Sequence, residues 1–101
     1  MITIGMNYEV FPEKEKLFTD KFKEVMDLLS EAENHHITRL YKDAYNLTPS
    51  FLVVSDWETR DAFLSFIKSD VFRQATDWGK AGILSDRPRH KVYQTEKLEK
   101  P

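Results

Sequence analysis

FLVVSDWETRDAFLSFIKSDVFRQATDW, residues 51–78, is the stretch whose reading decides the fold. Phe51 to Val54 is β-branched and aromatic and lies between Pro49 and Asp56, which marks a buried strand over Ser50 to Ser55. Ser55 to Thr59 turns the chain into a helical pattern. Ala62, Phe63, Phe66 and Ile67 then share one helical face. Ser69-Asp70 reads as a cap that restarts the helix after a break. Val71, Phe72, Ala75 and Trp78 continue the apolar stripe. A strand that feeds a broken, aromatic-rich helix makes a pocket wall, and the chemistry is expected there.

Working outward, Ile2, Ile4, Met6, Tyr8 and Val10 alternate with Thr3, Gly5, Asn7 and Glu9, the period of a strand. Gly5 predicts a close approach or a bulge. Pro12 suits the first turn of a helix, and Glu13 and Glu15 complement its dipole. Phe18, Phe22, Val25, Met26 and Leu29 form the apolar stripe of that helix, which runs to about Glu31. Ser30 to Asn34 is an exit turn. His35 to Asp43 alternates again, with Ile37, Arg39 and Tyr41 set against His36, Thr38 and Leu40. Ala44 to Pro49 is too short for a crossover helix, so the flanking strands pair antiparallel. Gly79 to Arg89 reads as a loop with turn chemistry, Lys91 to Thr95 as a last short strand, and Glu96 to Pro101 as a charged tail.

The order β-α-β-β-α-β is the ferredoxin-like α+β arrangement, an antiparallel sheet with its helices on one face. A single domain over residues 1–95 is expected, followed by the tail. Either register of the first strand leaves apolar side chains on the uncovered face. Two copies packed sheet to sheet would bury them, so a homodimer is expected.

Composition narrows the function classes. The net charge of −2 carries no footprint for nucleic acid, and Lys and Glu are mixed rather than blocked. The absence of cysteine removes disulfides, thiolate catalysis and iron–sulfur ligation. No leader pattern and no apolar run near the length of a membrane helix is visible, so a cytoplasmic protein without a membrane partner is expected. His35 and His36 are adjacent on a strand and point to opposite faces, so no metal site is expected from them. Arg87, Arg89, His90 and Lys91 cluster around Pro88, where a solvated loop is the default and an anion clamp the alternative.

Trp57-Glu58-Thr59, Asp61-Ala62-Phe63 and Ser69-Asp70-Val71-Phe72 together resemble the antibiotic biosynthesis monooxygenase superfamily. In that family a strand ends in Trp-Glu-Ser, followed by an Ala-Phe pair and a Ser-x-x-Phe second half-helix. The resemblance implies a dimeric ferredoxin-like α/β barrel with one pocket per subunit, between helices and sheet. The segment Phe66 to Phe72 is most similar to the haem-degrading members, which use an Asn on the first strand, a Trp on the second helix and a His that ligates iron. Asn7 matches the Asn, Phe66 stands at the Trp position and Thr76 at the His position. A threonine hydroxyl is a poor iron ligand.

The expected catalytic pair is therefore Asn7 and Thr76, with Phe63, Phe66, Phe72 and Trp78 against a small aromatic ligand. Trp57 reads as a structural wedge at the strand-to-helix corner. The leading expectation is a small monooxygenase acting on an aromatic or polycyclic substrate without a cofactor. One alternative is a haem-binding or haem-degrading protein with altered ligation. The other is a dimeric binding or regulatory domain without chemistry.

Overall fold

The computed structural model describes residues 1–77, 82–94 and 96. Its elements are β1 (Ile2–Glu9), α1 (Glu15–Ser30), β2 (His35–Lys42), β3 (Ser50–Trp57), α2 (Arg60–Ile67), α3 (Asp70–Ala75) and β4 (Arg89–Gln94). A 3-10 turn over Pro12–Lys14 leads into α1. The four strands run in the order β2-β3-β1-β4, every neighbour antiparallel. This is the ferredoxin-like α+β fold, with the helical layer on one sheet face.

Strand alternation sets which side chains meet the helices. Ile4, Tyr8, Phe51, Val53 and Trp57 are buried under the helices. Phe18, Phe22, Val25 and Leu29 of α1 meet them, spaced as one helical stripe demands. Phe18 is the hub, its ring 4.7 Å from Phe51 and 5.6 Å from Tyr8. Met26, expected in that stripe, is instead 37% exposed. One residue beyond Val25 it is rotated about 100° off the seam, onto the flank.

The second helix is broken as expected, and one side chain breaks it. Ser69 Oγ donates to the Phe66 carbonyl at 2.6 Å and accepts the Phe72 N–H at 3.2 Å. It ends α2 and caps α3 together. Thr59 caps α2 in the same way, accepting from the Ala62 N–H at 3.2 Å. Phe63 is buried, Phe66 and Phe72 are half-buried, and Val71 is exposed.

Two expectations change. Within the segment read as a loop, Ile83 is fully buried, and residues beside it bond the end of β1 through Phe11 N–H to Ile83 C=O at 3.0 Å and Ser85 N–H to Glu9 C=O at 2.9 Å. β4 begins earlier than expected and takes in Arg89 and His90. Its side chains are all exposed, as an edge strand with charged residues allows, so no hydrophobic pattern announced its start. Gly79, Thr95 and residues 97–101 of the expected tail lie outside the described residues. Among the described residues no helix is long and apolar enough to cross a membrane.

Candidate functional site

Trp57 is the last residue of β3, and its side chain enters the helix-covered face at the corner where the chain turns into α2. It is 1% exposed. Phe63 lies 5.9 Å from it and Phe66 5.4 Å, ring centre to ring centre, and Phe72 packs tilted against Phe66 at 5.1 Å. These rings wall a cavity of about 30 Å³ between α2–α3 and the sheet. Met6 and Tyr8 of β1, Thr38 of the edge strand β2 and Ser55 of β3 form its floor, and Phe22, Val25 and Leu29 of α1 line it from the other side. The fold thus brings together three of the four aromatic residues expected to line a pocket. Trp78 lies outside the described residues.

The expected polar pair is not assembled there. Asn7 is exposed on the opposite face of the sheet, one residue past the cavity-lining Met6. It lines a separate hollow of about 410 Å³ with Thr3, Gly5, Leu52, Arg89, Lys91 and Tyr93. Thr76 ends α3 with its hydroxyl donated to the Phe72 carbonyl at 2.7 Å, which occupies its proton in the helix's own turn.

The polar groups that do reach the cavity wall are ones that the composition did not single out. Trp57 Nε1–H donates to Ser55 Oγ at 2.7 Å. Ser55 Oγ and Thr38 Oγ1 are 2.7 Å apart, and Thr38 Oγ1 and His35 Nε2 are again 2.7 Å apart. Both hydroxyl residues are buried, Thr38 at 6% and Ser55 at 5% exposure. They face each other because β2 and β3 pair in the register that sets Thr38 opposite Ser55. A bulge between His35 and Ile37 re-aims the start of β2. Asn34, in the left-handed conformation at φ 62°, accepts the Glu58 N–H through its carbonyl at 2.8 Å and ties that start to the end of β3. The His35 ring consequently packs edge-on to Trp57 at 5.0 Å.

The electrostatics of the wall are those of a dry site. Burial pushes the Tyr8 phenol far above its ordinary range, so it stays neutral and donates to Met6 Sδ at 3.5 Å. Burial, helped by the neighbouring His36, holds the His35 imidazole below its ordinary value. His36 itself points away and pairs with Glu58 at 2.7 Å. Among the described residues no three metal-ligating side chains cluster.

Trp57 and Phe66 also border a solvent-open cleft of about 520 Å³ beside the α1–β2 turn, so the two rings stand between it and the cavity. A cofactor-sized ligand takes a pocket of roughly 300–1,000 Å³. The cavity, at about 30 Å³, does not accommodate a haem; the lining groups of a kind that ligates iron are the Met6 thioether and the Tyr8 phenol, and those two are bonded to each other. His90 on β4 lies with its ring 6.0 Å from that of Phe63. The aromatic walls suit the faces of a flat macrocycle, but the volume does not.

A relative from Halobacterium salinarum named "Putative heme-binding protein" is 36% identical over 88 residues, covering 87% of this chain and 18% of that protein. One of the same name from Haloarcula marismortui is 38% identical over 88 residues, covering 87% of this chain and 13% of that protein. Relatives from Natronomonas pharaonis and Haloquadratum walsbyi carry the same description. The chain therefore spans less than a fifth of the length of these curated relatives. Their names overturn the expectation of no cofactor and point to haem instead.

Among solved structures, a conserved protein from Methanosarcina mazei superposes with a TM-score of 0.84 at 18% identity, over 94% of this chain and 92% of the other. SnoaB, a cofactor-independent oxygenase from Streptomyces nogalater, superposes with a TM-score of 0.78 at 14% identity, over 96% and 94%. These two agree in fold. The family model described as antibiotic biosynthesis monooxygenase matches residues 1–78, from β1 through the aromatic wall, and the chain belongs to that family.

Proposed function

We propose that this chain is a haem-binding domain, taking the flat face of the macrocycle against Phe63, Phe66 and Phe72 on the helix side of the sheet. The observation that carries the reading is the cluster of rings around Trp57, joined to 35–38% identity with four relatives named for haem binding. Because the cavity is too small, binding requires Phe66 to move away from Trp57 and merge the cavity with the neighbouring cleft. The joint at Lys68–Ser69, between two short half-helices, is the natural place for that movement. Bound haem would supply redox chemistry at iron. This chain's residues would supply apolar enclosure and exclusion of water. A small flat aromatic ligand suits the same wall.

The outer sheet face supports a homodimer as part of this reading. Ile37, Tyr41, Leu52 and Tyr93 stand 39–51% exposed on one surface, a patch that a second copy would cover. The test is a hemin titration of the full chain, followed in the Soret band, with sedimentation in parallel. A saturable one-to-one shift is expected, lost in Phe66→Asp. Absence of any Soret shift at micromolar protein overturns the haem reading. Thr76→His, which places an imidazole on α3, is expected to tighten hemin binding by about tenfold or more if the wall is aligned as described.

A further inference from the structure

The basic cluster around Pro88 does not act as one group once β4 has formed. Strand alternation divides it. His90 turns to the helix side, where its ring lies 6.0 Å from that of Phe63. Arg87 stands before the strand, and its backbone N–H donates to Asp86 Oδ1 at 2.8 Å. Arg89 and Lys91 stand on the outer face, where both line the hollow of about 410 Å³. The β1–β4 register sets Arg89 beside Asn7 and Lys91 beside Gly5. Two of the four basic residues therefore converge, and the asparagine of β1 joins them.

The three strands give the hollow three different sides. The inner strand β1 is its floor, and Gly5 there has no side chain to fill it. Leu52 and Val54 of β3 make an apolar side. Arg89, Lys91 and Tyr93 of β4 make a cationic and aromatic one. No carboxylate lines it. Arg89 is paired with Asp86 at 3.1 Å, whereas Lys91 has no ion-pair partner among the described residues. The lining thus carries one positive charge without a match. The Asn7 amide also has no side-chain bond among the described residues, although asparagine is a poor strand former and a bond would be its usual compensation. At the far end Thr3 donates its hydroxyl to Asp56 at 2.6 Å, so that end is anionic.

We infer that the outer-face hollow is a second binding site, for a small monocarboxylate carried on a flat apolar body. The carboxylate lies at the Asn7–Arg89 end with Lys91 alongside, and the body lies against Leu52, Val54 and the Tyr93 ring. One unmatched positive charge calls for one negative charge, which a carboxylate supplies and a phosphate dianion exceeds. The guanidinium fork and the amide N–H₂ both donate, as a carboxylate needs. Asp56 at the other end turns the charged group away and fixes the orientation. The volume falls in the range of small-molecule sites, roughly 300–1,000 Å³. The site is independent of the helix-side cavity and of the haem reading. A second copy resting on Ile37 and Tyr41 and on the rims at Leu52 and Tyr93 roofs a concavity floored by Gly5 and leaves room beneath for a small molecule.

The test is a titration of the full chain with benzoate, followed in ¹⁵N spectra, with benzamide as its uncharged twin. Saturable shifts are expected at Gly5, Asn7 and Lys91, with a dissociation constant of about 1 mM for so small a ligand. Thr38 and Phe66, on the helix side, are expected to stay still. Benzamide is expected to bind at least about fivefold more weakly, and Lys91→Gln to weaken benzoate by about threefold. Asn7→Asp, which changes the charge at the same volume, is expected to remove binding. Lys91→Glu on the exposed edge strand serves in its place should Asn7→Asp fold poorly. Benzamide that binds as well as benzoate, inorganic phosphate that binds as tightly, or shifts confined to the helix side each overturn the site. Benzoate affinity that falls as protein concentration is raised shows a second copy filling the hollow, and overturns it too.

Discussion

The two faces of the sheet are built from alternate residues of the same strands, yet they are different materials. The helix-covered face holds Ile4, Val53 and Trp57 at 5% exposure or less, and its few polar groups are bonded to one another. The outer face sets Ile37, Tyr41, Leu52 and Tyr93 beside Arg39, Arg89, Lys91 and Asn7, around a hollow of about 410 Å³. Met6 and Asn7 are neighbours in the chain and lie on opposite sides of that divide. A closed face with satisfied polar atoms suits a ligand that must be kept from water. An apolar face left open suits a second protein surface.

The largest effect is expected from breaking the closed face at its centre. Trp57→Ala removes the ring that Phe63, Phe66 and His35 pack on, and it leaves Ser55 short of a donor. A loss of about 3–5 kcal/mol in urea unfolding is expected, enough to threaten folding of a domain of this size. An unfolding midpoint near wild type would show that the wall is not the core it looks to be.

The open face is tested next by charge. Leu52→Lys leaves the core untouched, so the monomer's stability is expected to change by no more than about 0.5 kcal/mol. Its sedimentation is expected to shift from dimer to monomer. A wild-type protein that sediments as a monomer at tens of micromolar would erase the distinction between a docking face and a merely solvated one.

Acidification sharpens the contrast from the closed side. His35 is held below its ordinary value of 6.5 in the folded chain, first by burial. The unfolded chain therefore takes up the proton first as pH falls. Stability is expected to be level above about pH 6.5 and to decline from there down to the folded His35 value, below which its contribution is constant. His35→Gln, which keeps a bonding atom but cannot carry the extra proton, is expected to flatten that decline in pH-dependent unfolding curves.

The smallest effect is expected at Gly5 on the open face, where the Tyr93 ring lies across the glycine. An added Cβ would meet Tyr93 Cε2 at 3.3 Å. Gly5→Ala gains strand propensity of about 0.5–1 kcal/mol and spends part of it moving an exposed ring. A net change within about 1 kcal/mol is expected in urea unfolding, with a larger loss meaning that the ring is held in place by something beyond this chain.

Much of this architecture is legible in residue order. Alternation in Ile2 to Val10 reports a strand, the Phe18 to Leu29 stripe reports a helix, and Ser69 reports the break in the second helix. Each rests on local geometry, period two or 3.6, and on a hydroxyl placed to cap a turn. The same local rules also gathered Phe63, Phe66 and Phe72 onto one wall, because residues three and six apart on a helical run, with a capped break between them, keep facing the sheet. The start of β4 is not legible in residue order, because an exposed edge strand carries no apolar period.

By itself, then, the order of residues determined the elements, their succession and the aromatic wall, since these depend on neighbours a few positions apart. Only tertiary structure decided which face of β1 the helices cover, and so that Asn7 stands across the sheet from the wall. It alone set Thr38 opposite Ser55 and brought His35 under Trp57, residues 17 and 22 positions apart in the chain. Strand register and the bulge after His35 fix those meetings, and both arise from pairing between segments whose sequences carry no mark of each other.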